Sequence, residues 1–119
     1  DILFANEDEV TSLCDSDIAS ATETLCGQVG EAVITRGENG AFVGSGDIRH
    51  ECAAQPFGGV EDTTGAGDLF AAGYLFGRTN GRDPLASGLI ASLAAGEVIS
   101  HIGARPQADV AAMIAAENL

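Results

Sequence analysis

Asp62-Thr63-Thr64-Gly65-Ala66-Gly67-Asp68 follows a strand-like stretch and opens a run, Leu69 to Gly77, whose apolar residues recur at helical spacing. Small residues at Gly65, Ala66 and Gly67 leave the first backbone N–H groups of such a helix unobstructed, and the positive end of its dipole points the same way. An anion fits there. Asp68 falls in the first helical turn, where the dipole favours the ionised carboxylate, and a carboxylate beside a bound phosphate can take the proton of a hydroxyl. Phosphoryl transfer asks for such a base, an oriented nucleophile and donors on the transferred group. The plainer alternative is a tight strand-to-helix turn carrying one more first-turn acid, and on these residues alone the two readings stand level.

Upstream of this stretch, Asp1-Ile2-Leu3-Phe4-Ala5 reads as a strand already under way, so the chain is expected to be a piece of a longer protein. Asn6 can cap a helix over Glu7 to Leu13, with acids in its first turn. A second helix is expected from Asp17 to about Cys26, capped by Ser16 or Asp17 and closed by Gly27. Glu31 to Thr35 is the short apolar run of a buried strand, which makes a β-α-β order and a parallel pair. Ala41 to Val43 and Ile48 to Ala54 then flank a Gly44-Ser45-Gly46-Asp47 hairpin turn. Downstream, Asn80-Gly81 stops the glycine-led helix. Asp83 and Pro84 start an Ala-rich helix to about Ser100, and a last helix runs from about Ala108 to Glu117.

Composition narrows the chemistry. Eighteen acidic residues against five basic give a formal charge of -13 over 119 residues, which repels a phosphate backbone and argues against nucleic acid as a partner. All five basic residues are Arg, so a Schiff-base lysine, a pyridoxal-phosphate anchor and a Walker A loop are excluded. Three cysteines without a CxxC spacing and two distant histidines fit neither a disulfide framework nor a zinc site. No stretch has the length of a membrane span, so no membrane partner is expected and the cytoplasm is the expected compartment.

DTTGAGD followed by LFAAGYLFG closely resembles the C-terminal signature of the PfkB family of carbohydrate and nucleoside kinases. Other segments match in the same order over essentially the whole chain, including Asn6-Glu7-Asp8-Glu9, similar to the family's NxxE motif, and Thr35 to Gly40, similar to its TxGxxG turn. The resemblance implies an α/β, ribokinase-like layered fold, of which residues 1–119 form the C-terminal ATP-binding and catalytic-base portion with a mixed sheet flanked by helices. It implies Asp68 as the catalytic base and Gly65, Ala66 and Gly67 as the anion hole. It further implies Glu9 as an organiser of Mg2+ through water, and Asn6, Thr35, Arg36, Gly37, Gly40 and Ser92 around the nucleotide. Read by themselves, Asn6 and Glu9 only cap and complement a helix, Arg36 points to phosphate or to solvent, and Ser92 is a small residue for helix packing. The segment Glu97 to Pro106, with Asp62 and Thr64, resembles the part of the family that binds a monovalent cation, which implies K+ near Val98, His101 and Gly103, mainly through backbone oxygens.

The implied reaction moves the γ-phosphoryl of MgATP to a primary hydroxyl of a small molecule, with adenosine as the first expected acceptor and ribose or another sugar as the second. Two rivals remain at this stage: a nucleotide-binding module without turnover, and an inactive fragment that self-associates. The chain as given is expected to self-associate, most simply as a two-fold homodimer, because the sheet of a longer family member continues beyond Ile2 to Ala5 and an uncovered strand edge and apolar faces recruit partners.

Overall fold

A computed structural model of the chain describes residues 2–14, 17–54, 65–106 and 108–119. These fall into two compact units, Asp1–Cys52 and Ala53–Leu119.

In the first unit, strand β1 (Ile2–Asn6) leads through helices α1 (Glu7–Cys14) and α2 (Ile18–Gln28) to strand β2 (Glu31–Thr35). The two strands pair in parallel, from Ile2 opposite Glu31 to Asn6 opposite Thr35. After a short 3-10 turn at Gly37–Asn39 come β3 (Ala41–Ser45) and β4 (Ile48–Cys52), and both pairings there are antiparallel. The result is a mixed sheet in the order β1-β2-β3-β4. Period-two alternation sends Ile34 to one face, where Val10 of α1 and Ala21 and Leu25 of α2 cover it, with Leu3, Ala5, Cys14, Ile18 and Phe42 packed around them. Val33 points to the other face and is equally buried, which is why β2 needs an unbroken apolar run.

Two local expectations are corrected here. Gly27 does not close α2; the helix continues to Gln28, and the Val29 N–H closes on the Leu25 carbonyl. No described residue lies within 4 Å of a Cβ built on Gly27, so none of them opposes the extra helical residue. The hairpin turn is shorter than its composition suggests: Gly44 and Ser45 belong to β3, and Ser45 pairs with Ile48 across a two-residue turn. Gly46 supplies the positive φ of 59°. Gly44 is needed within the strand because a Cβ there would run into the Cys26 sulfur.

The second unit is helical. Helix α3 (Ala66–Thr79) ends where Gly81 turns the backbone to φ 82°, letting the Arg82 N–H reach the Gly77 carbonyl at 2.9 Å. Helix α4 (Pro84–Val98) starts on the Asp83 cap, whose carboxylate accepts from the Ala86 N–H at 2.8 Å, and ends slightly before the expected Ser100. The two helices meet through glycines: a Cβ on Gly73 would lie 2.8 Å from the Ala91 Cα, and one on Gly77 would lie 2.8 Å from the Ser87 Cα. Two small pairs one turn apart thus let the backbones touch. Helix α5 (Val110–Ala116) starts on the Asp109 cap and has no buried residue. No helix among the described residues is long and apolar enough to cross a membrane.

Candidate active site

In the first unit the two motif segments sit at the carboxyl ends of the parallel strands, because Asn6 ends β1 and Thr35, its register partner, ends β2. In open α/β sheets this is the end at which ligands are bound. Asn6 and Glu9 form a reciprocal cap: the Asn6 N–H donates to Glu9 Oε1 at 2.9 Å and the Glu9 N–H donates to Asn6 Oδ1 at 2.8 Å. One carboxylate oxygen holds the helix start, and the exposed side chain leaves the other on the solvent side.

The turn after β2 is built by its glycines. Gly37 at φ 56° and Gly40 at φ 85° take conformations that side chains disfavour, and the Arg36 N–H closes the turn on the Gly40 carbonyl at 2.8 Å. The Thr35 hydroxyl reaches back to the Ala5 carbonyl at 3.5 Å, tying the turn to β1. Arg36 directs its guanidinium at two carboxylates, 3.8 Å from both Glu7 Oε2 and Glu51 Oε1. It also borders a cleft of about 250 Å³ floored by Ile18, Ile34 and Phe42.

In the second unit Gly65 caps α3 in the left-handed conformation, φ 80° and ψ 0°. The Leu69 N–H makes the first intrahelical bond, to the Gly65 carbonyl at 2.9 Å, so the N–H groups of Ala66, Gly67 and Asp68 precede it. A Cβ on Gly67 would meet no atom of the described residues within 4 Å, so none of them fills the space over this helix start. Asp68 is exposed in the same turn. Beside it, a Cβ on Gly65 would lie 2.8 Å from the Ala104 Cβ, so the glycine turn rests directly on the segment that follows α4. That segment contains Gly103 at φ 104°.

Val98 ends α4 fully buried, and Ser92 is buried on the same helix with its hydroxyl donating to the Gly88 carbonyl at 3.0 Å. Asp62 and Thr64 lie outside the described residues. Among the described residues no group of three or more His, Cys, Asp or Glu side chains could hold a metal ion. Burial pushes the Cys26 and Cys52 thiols up, which makes poor nucleophiles of them.

Glu97, which opens the segment resembling the family's cation-binding part, was given no role of its own by the motif. It is 1% exposed at the end of α4. Its Oε1 lies 2.9 Å from His101 Nε2 and accepts from the Ala108 N–H at 3.1 Å. Its signal in the sequence was a single charge in an Ala-rich helix, with a histidine one turn later.

A match to the pfkB family carbohydrate kinase spans residues 1–111. The chain belongs to the PfkB family. Among curated relatives, an uncharacterised sugar kinase of Archaeoglobus fulgidus is 34% identical over 87% of this chain and 42% of its own length. Among solved structures, a probable sugar kinase of Rhizobium etli superposes with a TM-score of 0.95 at 39% identity, covering 99% of this chain and 36% of that one. The adenosine kinase of Sinorhizobium meliloti gives 0.92 at 41% identity, covering 100% and 36%. The chain therefore spans well under half the length of these PfkB relatives, and it carries their ribokinase-like α/β fold.

Proposed function

We propose that residues 1–119 are the C-terminal, nucleotide-binding and proton-accepting portion of an ATP-dependent kinase that phosphorylates a primary hydroxyl of a nucleoside or sugar. The carrying observation is the start of α3, where space over Gly67 that no described residue fills, the N–H groups of Ala66, Gly67 and Asp68, and the exposed Asp68 carboxylate share one turn. In the reaction the acceptor oxygen bonds to the γ-phosphorus of ATP while the bond to the β,γ-bridging oxygen breaks. Asp68 takes the hydroxyl proton, the α3 amides hold the charge on the transferred group, and ADP leaves.

The turn Thr35 to Gly40 and Ser92 serve the nucleotide, and Asn6 supports Glu9. Mg2+, when bound, would offset the negative charge of the phosphates. Glu9 would hold that ion through water. K+ is proposed near Val98, His101 and Gly103. Adenosine is the favoured acceptor, supported by the 41% identity to an adenosine kinase, with ribose-like sugars second. The setting proposed is cytoplasmic, and the protein is a homodimer.

The deciding test is Asp68→Asn in a protein that carries the remaining length of its relatives. The amide keeps the shape and loses the proton acceptor, so kcat should fall by roughly 100-fold or more while the nucleotide Kd changes far less. Activity within about threefold of the parent rejects Asp68 as the base.

A further inference from the structure

The stretch between α4 and α5 has neither helix nor strand over Ile99 to Pro106, so no backbone ladder fixes its path. Ala104 nevertheless has to sit in one place, because it is the surface against which Gly65 rests. One buried carboxylate reaches the stretch at both of its ends. Glu97 Oε1 meets the His101 ring on the near side of Ala104 and the Ala108 N–H on the far side, so the residues from Ile102 to Pro106 are strung between two attachments to one oxygen. The Glu97 backbone carbonyl adds a third attachment, accepting from the Ser100 hydroxyl at 2.6 Å. The carboxylate itself cannot wander, since α4 is buried around it at Ala94, Gly96 and Val98.

We propose that Glu97 is a positioning residue for the anion-binding turn: it clamps the 99–108 segment at His101 and Ala108 so that Ala104 braces Gly65 and aims the amides of Ala66, Gly67 and Asp68. The role rests on the phosphate-site reading of that turn. Glu97 touches no reacting atom; it acts through Ala104. Preorganised donors work only if their aim is fixed before the ligand arrives, and a buried clamp on an irregular segment supplies that fixity.

The test is amide exchange by mass spectrometry on the purified chain, following peptides over 65–70 and 99–108, with ADP affinity measured by calorimetry. Glu97→Ala should speed exchange about tenfold or more in both regions and weaken ADP binding about tenfold. Glu97→Gln keeps an acceptor oxygen and should restore both readings to within about threefold of the parent. Ala104→Gly should free 65–70 while 99–108 stays protected, because it removes the brace and leaves the clamp.

Where Glu97→Ala fails to fold, His101→Ala cuts one attachment and is expected to loosen both regions to a smaller degree. Loosening of 99–108 with 65–70 unchanged overturns the proposal, as does an Ala104→Gly variant identical to the parent. The two readings separate cleanly. Coupled exchange without ADP binding rejects the phosphate site and upholds the clamp, whereas ADP protection of 65–70 without coupling does the reverse.

Discussion

Gly65 and Gly67 lie two residues apart and are glycine for different reasons. Gly65 is required by the protein: its φ of 80° is costly for any residue with a Cβ, and such a Cβ would crowd the Ala104 Cβ at 2.8 Å. Gly65→Ala should therefore destabilise by about 2–4 kcal/mol, the cost of a left-handed residue plus an overpacked contact, read as a shift in the urea midpoint. Gly67 has neither constraint. Gly67→Val should leave the urea midpoint within about 1 kcal/mol of the parent, since a Cβ there meets no atom of the described residues, while ADP affinity collapses if the side chain fills the space proposed for phosphate. Equal loss of stability in both variants would show that both glycines serve folding alone.

At the scale of elements, the contact of α3 with α4 buries the Ser87 hydroxyl without a hydrogen-bond partner among the described residues. Ser87→Ala removes an unsatisfied group and keeps the room that Gly77 needs, so it should raise stability by about 1 kcal/mol, measured by thermal unfolding. Helix α2 offers a pH test. The Ser20 N–H, donating to Asp17 at 2.9 Å, holds that carboxyl below the usual aspartate range, helped by the Ser20 hydroxyl. The folded state thus prefers the ionised form. Its contribution is complete above about pH 4 and is lost as pH falls through the depressed value. Asp17→Asn should flatten the loss of α2 amide protection between pH 5 and pH 2, and an unchanged slope would remove Asp17 from the cap.

These elements also show what the sequence makes legible. The starts of α1, α3 and α4 could be read because caps and dipoles act within one turn, and β2 because burial on both faces leaves an unbroken apolar run. The glycine turn at the start of α3 was legible on the same grounds as a helix start, whereas its proposed role with an anion came from the family resemblance. The strand assignment of Gly44 was hidden, since its cause is a cysteine sulfur from another element. The contacts of Glu97 were hidden likewise: they are made with a segment that returns to it, and that leaves no local trace.

For the whole molecule, the sheet's two outer strands differ in character. β4 carries Arg49, His50 and Glu51, and Arg49 is tied to Glu23 by paired contacts of 3.1 and 3.2 Å. Charges of this kind blunt an edge. β1 is Ile-Leu-Phe-Ala-Asn, uncharged, and within the described sheet it pairs only with β2. Self-association through β1 should therefore prevail over the repulsion of a charge of -13, because burial acts at contact range and surface charge is screened within roughly 10 Å at 0.1 M salt. Light scattering should show a dimer at micromolar concentration that weakens as salt is withdrawn, and a monomer at every salt level would refute it. The strand order β1-β2-β3-β4 carries a further consequence, one of time rather than energy. Each strand pairs with its neighbour along the chain, and the hairpin of β3 and β4 closes across only two residues, an event of microseconds. The first unit can therefore assemble by growth from that hairpin toward β1 without a distant search, and its slowest closure is the one that brings Ile2 beside Glu31.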